Sequence, residues 1–78
     1  MVTDGFAGYV IRTKHGYIES ATQEKGIKIM VCTAKLEKAR RFMEPEAAKE
    51  FRGVYDGTIK IVATDSKGKL YTNGTLVQ

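Results

Sequence analysis

The sequence predicts an α+β domain: a small, mostly antiparallel sheet of about five strands in the order β-β-β-α-β-β, covered on one face by one or two short helices. Three observations carry this reading. Tyr9 to Thr13, Ile27 to Thr33 and Thr58 to Thr64 are β-branched and aromatic runs set between Gly, Asn, Asp and Ser clusters. From Leu36 the period changes: Leu36, Ala39, Phe42 or Met43, Ala47 and Phe51 recur every three to four residues and leave the charges on the other side. Finally, 78 residues support one core and no second domain. A chain of this size buries only about 60% of its open-chain surface on folding, so stability is modest.

The elements follow in order. Residues 1–7 read as a flexible lead-in. Tyr9-Val10-Ile11-Arg12-Thr13, the turn chemistry of His15-Gly16 and the resumed pattern Tyr17-Ile18-Glu19 predict a first hairpin. Ser20 to Gly26 is polar and ends in Gly, which predicts a mobile connection suited to contacts. In the next strand Ile27, Ile29, Val31 and Thr33 form the expected core face, with Lys28, Met30 and Cys32 on the other. Pro45, whose ring suits a first helical turn, stands between Glu44 and Glu46, which favour the positive end of the helix dipole. A helix over 45–52 follows, stopped by Gly53, with Leu36 to Phe42 as a separate short helix. After an Asp56-Gly57 turn, Thr58 to Thr64 and Lys69 to Thr72 make a second hairpin around Asp65-Ser66-Lys67-Gly68. Asn73-Gly74 predicts one more tight turn, leaving 73–78 as an edge strand or tail.

Composition bounds the function. Thirteen Lys and Arg against nine Asp and Glu give a net charge of +4, a mild bias toward anionic partners. The excess is spread: residues 1–33 carry four basic and three acidic side chains (+1), 34–52 six and four (+2), 53–78 three and two (+1). One Cys excludes an internal disulfide and a Cys-based zinc cage, and one His removes most His-ligated sites, so no cofactor or metal is expected. The free Cys, the absence of an apolar leader and a longest apolar run of Met30-Val31-Cys32 make a cytoplasmic location and no membrane partner the expectation.

Several motifs invite chemistry. Gly5-Phe6-Ala7-Gly8-Tyr9-Val10 is similar to the base-stacking strand of RNA recognition motifs, but it lacks the leading basic residue, and Gly8 shifts Tyr9 to the other face. Cys32 with His15 would make a thiol–imidazole pair, yet a mid-strand Cys is ordinarily a small core residue. Asp65 to Lys69 lacks the glycine spacing of a phosphate loop. Lys35, Lys38, Arg40, Arg41, Lys49 and Arg52 are the candidate binding residues, a basic set along the helical region that could meet phosphates or an acidic protein surface. Glu37, Glu44, Glu46 and Glu50 are interleaved with them and oppose a phosphate backbone laid along the same helix.

Tyr9-Val10-Ile11-Arg12-Thr13 with Gly16-Tyr17, then Ala39-Arg40-Arg41-Phe42, Glu46-Ala47 and Ile59-Lys60-Ile61-Val62, resemble a recurrent type of small phage and prophage protein over about residues 9 to 62. The resemblance implies a mobile-element origin and action by binding and blocking host machinery, as anti-CRISPR proteins do; it carries over no functional residue. The expected function is therefore that of a non-enzymatic binding protein, an inhibitor of a host defence or nucleic-acid-processing protein. Its partner would be a host protein or protein–nucleic acid complex. The alternative is a small basic module that binds nucleic acid directly.

Overall fold

A computed structural model describes residues 5–54 and 57–76. Five strands, β1 (Gly5–Thr13), β2 (Gly16–Glu24), β3 (Ile27–Thr33), β4 (Thr58–Thr64) and β5 (Leu70–Thr75), form one sheet in the order β3-β2-β1-β4-β5, and every pairing is antiparallel. The helical region between β3 and β4 consists of a 3₁₀ turn, Leu36–Lys38, and one helix, α1 (Pro45–Val54). The α+β class and the strand order along the chain are thus as the alternation predicts. The turn expected at Asp56-Gly57 and the end of the expected last strand, Val77-Gln78, fall partly or wholly outside the described residues.

The long pairing of β1 with β4, from Gly5 opposite Thr64 to Arg12 opposite Thr58, makes the centre of the sheet. Alternation along these strands builds two apolar clusters. Val10 and Val62, both fully buried, join Ala7 and Ala39, with Leu36, Tyr17 and Leu70 packed against them. Ile11, Ile59 and Ile18 join Ala48 of α1, with Phe42, Phe51 and Tyr9 at the margin. The strand that the sequence reads as a flexible lead-in up to residue 7 is ordered pairing from Gly5 onward.

β1 and β2 behave like a fork. They pair only at Arg12 with Tyr17 and Thr13 with Gly16, around the two-residue turn Lys14-His15. Beyond that point β2 departs, and the segment after the 3₁₀ turn enters the gap. Arg40 donates its backbone N–H to Ile18 at 2.9 Å, while Tyr9 and Phe42 exchange backbone hydrogen bonds of 2.7 and 2.8 Å. Here the expected short helix over Leu36 to Phe42 is corrected to a single 3₁₀ turn and a strand-like wedge. The N–H groups of Arg40 and Phe42 are taken by the sheet and cannot close helical turns. Gly8 makes room for the wedge. Its φ of +119° lies where L side chains are strained, and a Cβ there would stand 2.9 Å from the Phe42 carbonyl oxygen.

Four further expectations change. Ser20 to Gly26 is not a mobile connection: β2 runs to Glu24 in register with β3, and the reversal needs only Lys25-Gly26, both with positive φ (51° and 79°), a type I′ pair. The faces of β3 are inverted, since Ile27, Ile29 and Val31 are exposed and Met30 and Cys32 half-buried. The reason is that the cluster around Ile18 and Ala48 lies on the side of β2 and β3 that carries Ala21 and Met30, so the alternate residues of β3 face away from it. α1 continues through Gly53 to Val54, so Gly53 lies in its last turn and does not end it. Asn73-Gly74 makes a bulge and no turn, because three steps of β5, from Thr72 to Thr75, are set against two steps of β4, from Val62 to Lys60, with Gly74 at φ +100°.

The β4–β5 connection matches its reading as a loop. The Asp65 carboxylate accepts from the backbone N–H groups of Lys67 and Lys69 at 2.9 Å each, which shapes the turn without any ligand. Among the described residues no helix is long and apolar enough to cross a membrane.

Candidate anion-binding cleft

The turn-side end of the sheet is concave. An open cleft of about 960 Å³ is bounded by Arg12 and Thr13 of β1, Lys14 and His15 of the turn, Tyr17 of β2, Lys28 and Met30 of β3, Thr58 and Lys60 of β4 with Gly57 before it, and Thr72 of β5. Four of these side chains are cationic, and among the described residues lining the cleft none is acidic. The register explains the gathering. Arg12 lies directly opposite both Thr58 and Tyr17, and Lys60 opposite Val10, so residues far apart in the chain share one side of adjacent strands. Alternation sets Arg12 and Lys60 opposite in sense to Ile11 and Ile59, which face the cluster containing Ala48.

Several of these groups are held in place. The Arg12 guanidinium carbon sits 5.2 Å from the centre of the Tyr17 ring, a cation–π contact that orients the fork of donors. Lys60 Nζ donates to Thr75 Oγ1 at 2.9 Å. Thr13 Oγ1 donates to the Gly16 carbonyl at 2.9 Å and accepts from the His15 N–H at 3.1 Å, which fixes the turn carrying Lys14 and His15. Cations gathered in one concavity suit an anionic ligand with several oxygen acceptors.

The six basic positions singled out from the sequence do not line this cleft, nor do they form one stripe. Lys35 and Lys38 flank the 3₁₀ turn, whose Leu36 packs with the Val10–Val62 cluster. Lys49 and Arg52 stand on α1, which packs by Ala48 and Phe51 on the other cluster. Arg40 and Arg41 belong to the wedge, and the Arg40 guanidinium lies 5.3 and 5.4 Å over Phe42 and Phe51. All are exposed except the half-buried Arg52. The cleft cations escape sequence reading because Arg12, Lys14, Lys28 and Lys60 are scattered singles in strands and turns. The available signal was weak: Arg12 and Lys60 interrupt otherwise apolar strands.

The other candidates find structural neighbours. Cys32 is half-buried with its Sγ 3.6 Å from Thr13 Oγ1, whereas His15 is exposed at the turn. The expected separation of Tyr9 from Phe6 is corrected: the register shift between Phe6 and Gly8 offsets the extra residue, and the two rings meet edge to face with centroids 5.1 Å apart. Among the described residues no group of three or more His, Cys, Asp or Glu side chains could hold a metal ion. In comparisons with known proteins, no family model, no curated protein and no solved structure matches this chain.

Proposed function

We propose that the chain is a non-enzymatic binding protein that seats the phosphate backbone of a nucleic acid in the cleft. The observation that carries this reading is the convergence of Arg12, Lys14, Lys28 and Lys60 in one concavity with no acidic residue among the described lining. The objection raised by the helical glutamates does not reach this surface, because none of Glu37, Glu44, Glu46 and Glu50 lines the cleft. In this reading Arg12 and Lys60 present the side of β1 and β4 opposite the Ile11–Ile59 cluster on which α1 packs, and Met30, which packs against that cluster, closes the cleft from β3. A protein of phage type acting on nucleic-acid-processing machinery is compatible with such a site. A second reading, a contact with a host protein, is favoured by exposed Phe6 and Met43, an aromatic and a thioether of the kind enriched at interfaces.

Fluorescence anisotropy with labelled oligonucleotides over a salt series tests the proposal. If four phosphates are neutralised, log K against log salt has a slope of about −3.6 for duplex or −2.8 for single strands, with a Kd of roughly 10–100 μM at physiological salt. Arg12→Ala and Lys60→Ala each reduce the slope by about one, while Lys38→Ala and Lys49→Ala leave it unchanged. Binding that is absent at low salt, or a slope that falls with the helical variants and not with the cleft variants, overturns it.

A further inference from the structure

We propose that β3 is a self-association edge: two copies of this chain pair antiparallel along β3 about a two-fold axis at Ile29, which joins their clefts through Lys28.

The two edges of the sheet differ. β5 is polar where it is exposed, at Thr72, Asn73 and Thr75, and its bulge at Asn73-Gly74 twists it out of a regular ladder, a common protection against edge pairing. β3 has no bulge between Ile27 and Val31, and its one charged side chain there, Lys28, is accommodated opposite Met30 of a second copy in the register centred on Ile29. Its register with β2 is unbroken there, and Ile27, Ile29 and Val31 present a β-branched row that is 64, 49 and 45% exposed. This stretch lies past the last β1–β2 pair, so it stands as a two-stranded ribbon in a molecule 51 Å long and 24 Å wide. A ribbon of two strands is marginal in water, and a further strand stabilises it.

The backbone specifies the occupant. Glu24 and Ile27 flank the two-residue turn and exchange the closing hydrogen bonds, so Ile27, Ile29 and Val31 aim their N–H and C=O groups at β2, while Lys28 and Met30 aim theirs outward. A two-fold axis at Ile29 sets Lys28 against Met30 of the second copy in both hydrogen-bonded pairs. It sets Ile29 against Ile29, and Ile27 against Val31, in the closer non-hydrogen-bonded pairs, so every member of the apolar row meets another. An axis at Lys28 would oppose two ammonium groups, and an axis at Met30 would leave Ile27 facing Thr33. Only the Ile29 register satisfies charge and pattern together. Because this axis is perpendicular to the sheet, Lys28 and Met30 of both copies fall on one face, and both residues line the cleft. The buried strip is short of the roughly 1,200 Å² of a permanent complex, so the dimer is weak and concentration-dependent.

Sedimentation velocity of the whole chain, without nucleic acid, shows a shift from monomer toward dimer between about 10 μM and 1 mM, the range of a weak complex. Ile29→Lys remains monomeric with an unchanged circular dichroism spectrum. In a Cys32→Ser background, Ile29→Cys forms a disulfide-linked dimer under mild oxidation, because the axis brings that position against itself, and Ile27→Cys does not. A monomer throughout the range, or equal cross-linking at the two positions, overturns the proposal. Neither readout depends on what the cleft binds.

Discussion

Gly8 links backbone conformation to the placement of the wedge. Its positive φ and the 2.9 Å separation from the Phe42 carbonyl oxygen mean that any side chain there must strain the strand and push the wedge off Tyr9. Gly8→Ala is therefore expected to cost about 1–3 kcal/mol, read as a Tm lowered by at least about 5 °C in a domain this small. Lys25 is the opposite case, a non-glycine residue held at φ 51° in the first position of the β2–β3 turn. Asn tolerates this region better than Lys, so Lys25→Asn should raise stability by about 0.5 kcal/mol in a denaturant titration, with no change in cleft binding.

Among the elements, α1 shows how a helical stripe is read correctly in kind and wrongly in extent. Pro45 opens it as expected, and Ala48, with no exposed surface, docks on Ile11 and Ile59. Ala48→Leu adds three carbons to a filled contact and is expected to destabilise by about 1–3 kcal/mol, measured by thermal unfolding. Phe51 is half-buried beside Phe42, ring centroids 5.1 Å apart, with Arg40 across both rings. Phe51→Ala should then cost about 2–4 kcal/mol, somewhat less than for a fully enclosed ring. Upstream, Leu36, Ala39 and Phe42 keep a helical spacing, yet the fork between β1 and β2 offers the backbone sheet partners. Local periodicity yields to those hydrogen bonds because they join the wedge to the strands on both sides of the gap.

For the whole molecule, the sheet turns scattered single cations into one field. Arg12 and Lys60 are 48 positions apart in the chain and sit on adjacent strands near the same end of the sheet. Replacing both with Ala should reduce nucleic-acid affinity at low salt by more than tenfold, since two fewer counterions are released. Unfolding should be unaffected by the double change beyond about 0.5 kcal/mol per site, because both side chains lie outside the two apolar clusters.

The sequence by itself determined the class, the number of strands and their order along the chain, the start of α1 and the Asp65 loop. Each of these rests on a period or a turn chemistry contained within a few neighbouring residues. Tertiary structure decided which face of β3 is covered, where β1 and β2 part, that Asn73-Gly74 bulges in place of turning, and which cations meet. Those outcomes depend on pairing and packing across the sheet: Ile27, Ile29 and Val31 have the alternation of a core face, but the cluster built around Ile18 and Ala48 packs on the Met30 side and leaves theirs without a cover. For the same reason, the cleft exists in the register between strands and in no contiguous stretch of sequence.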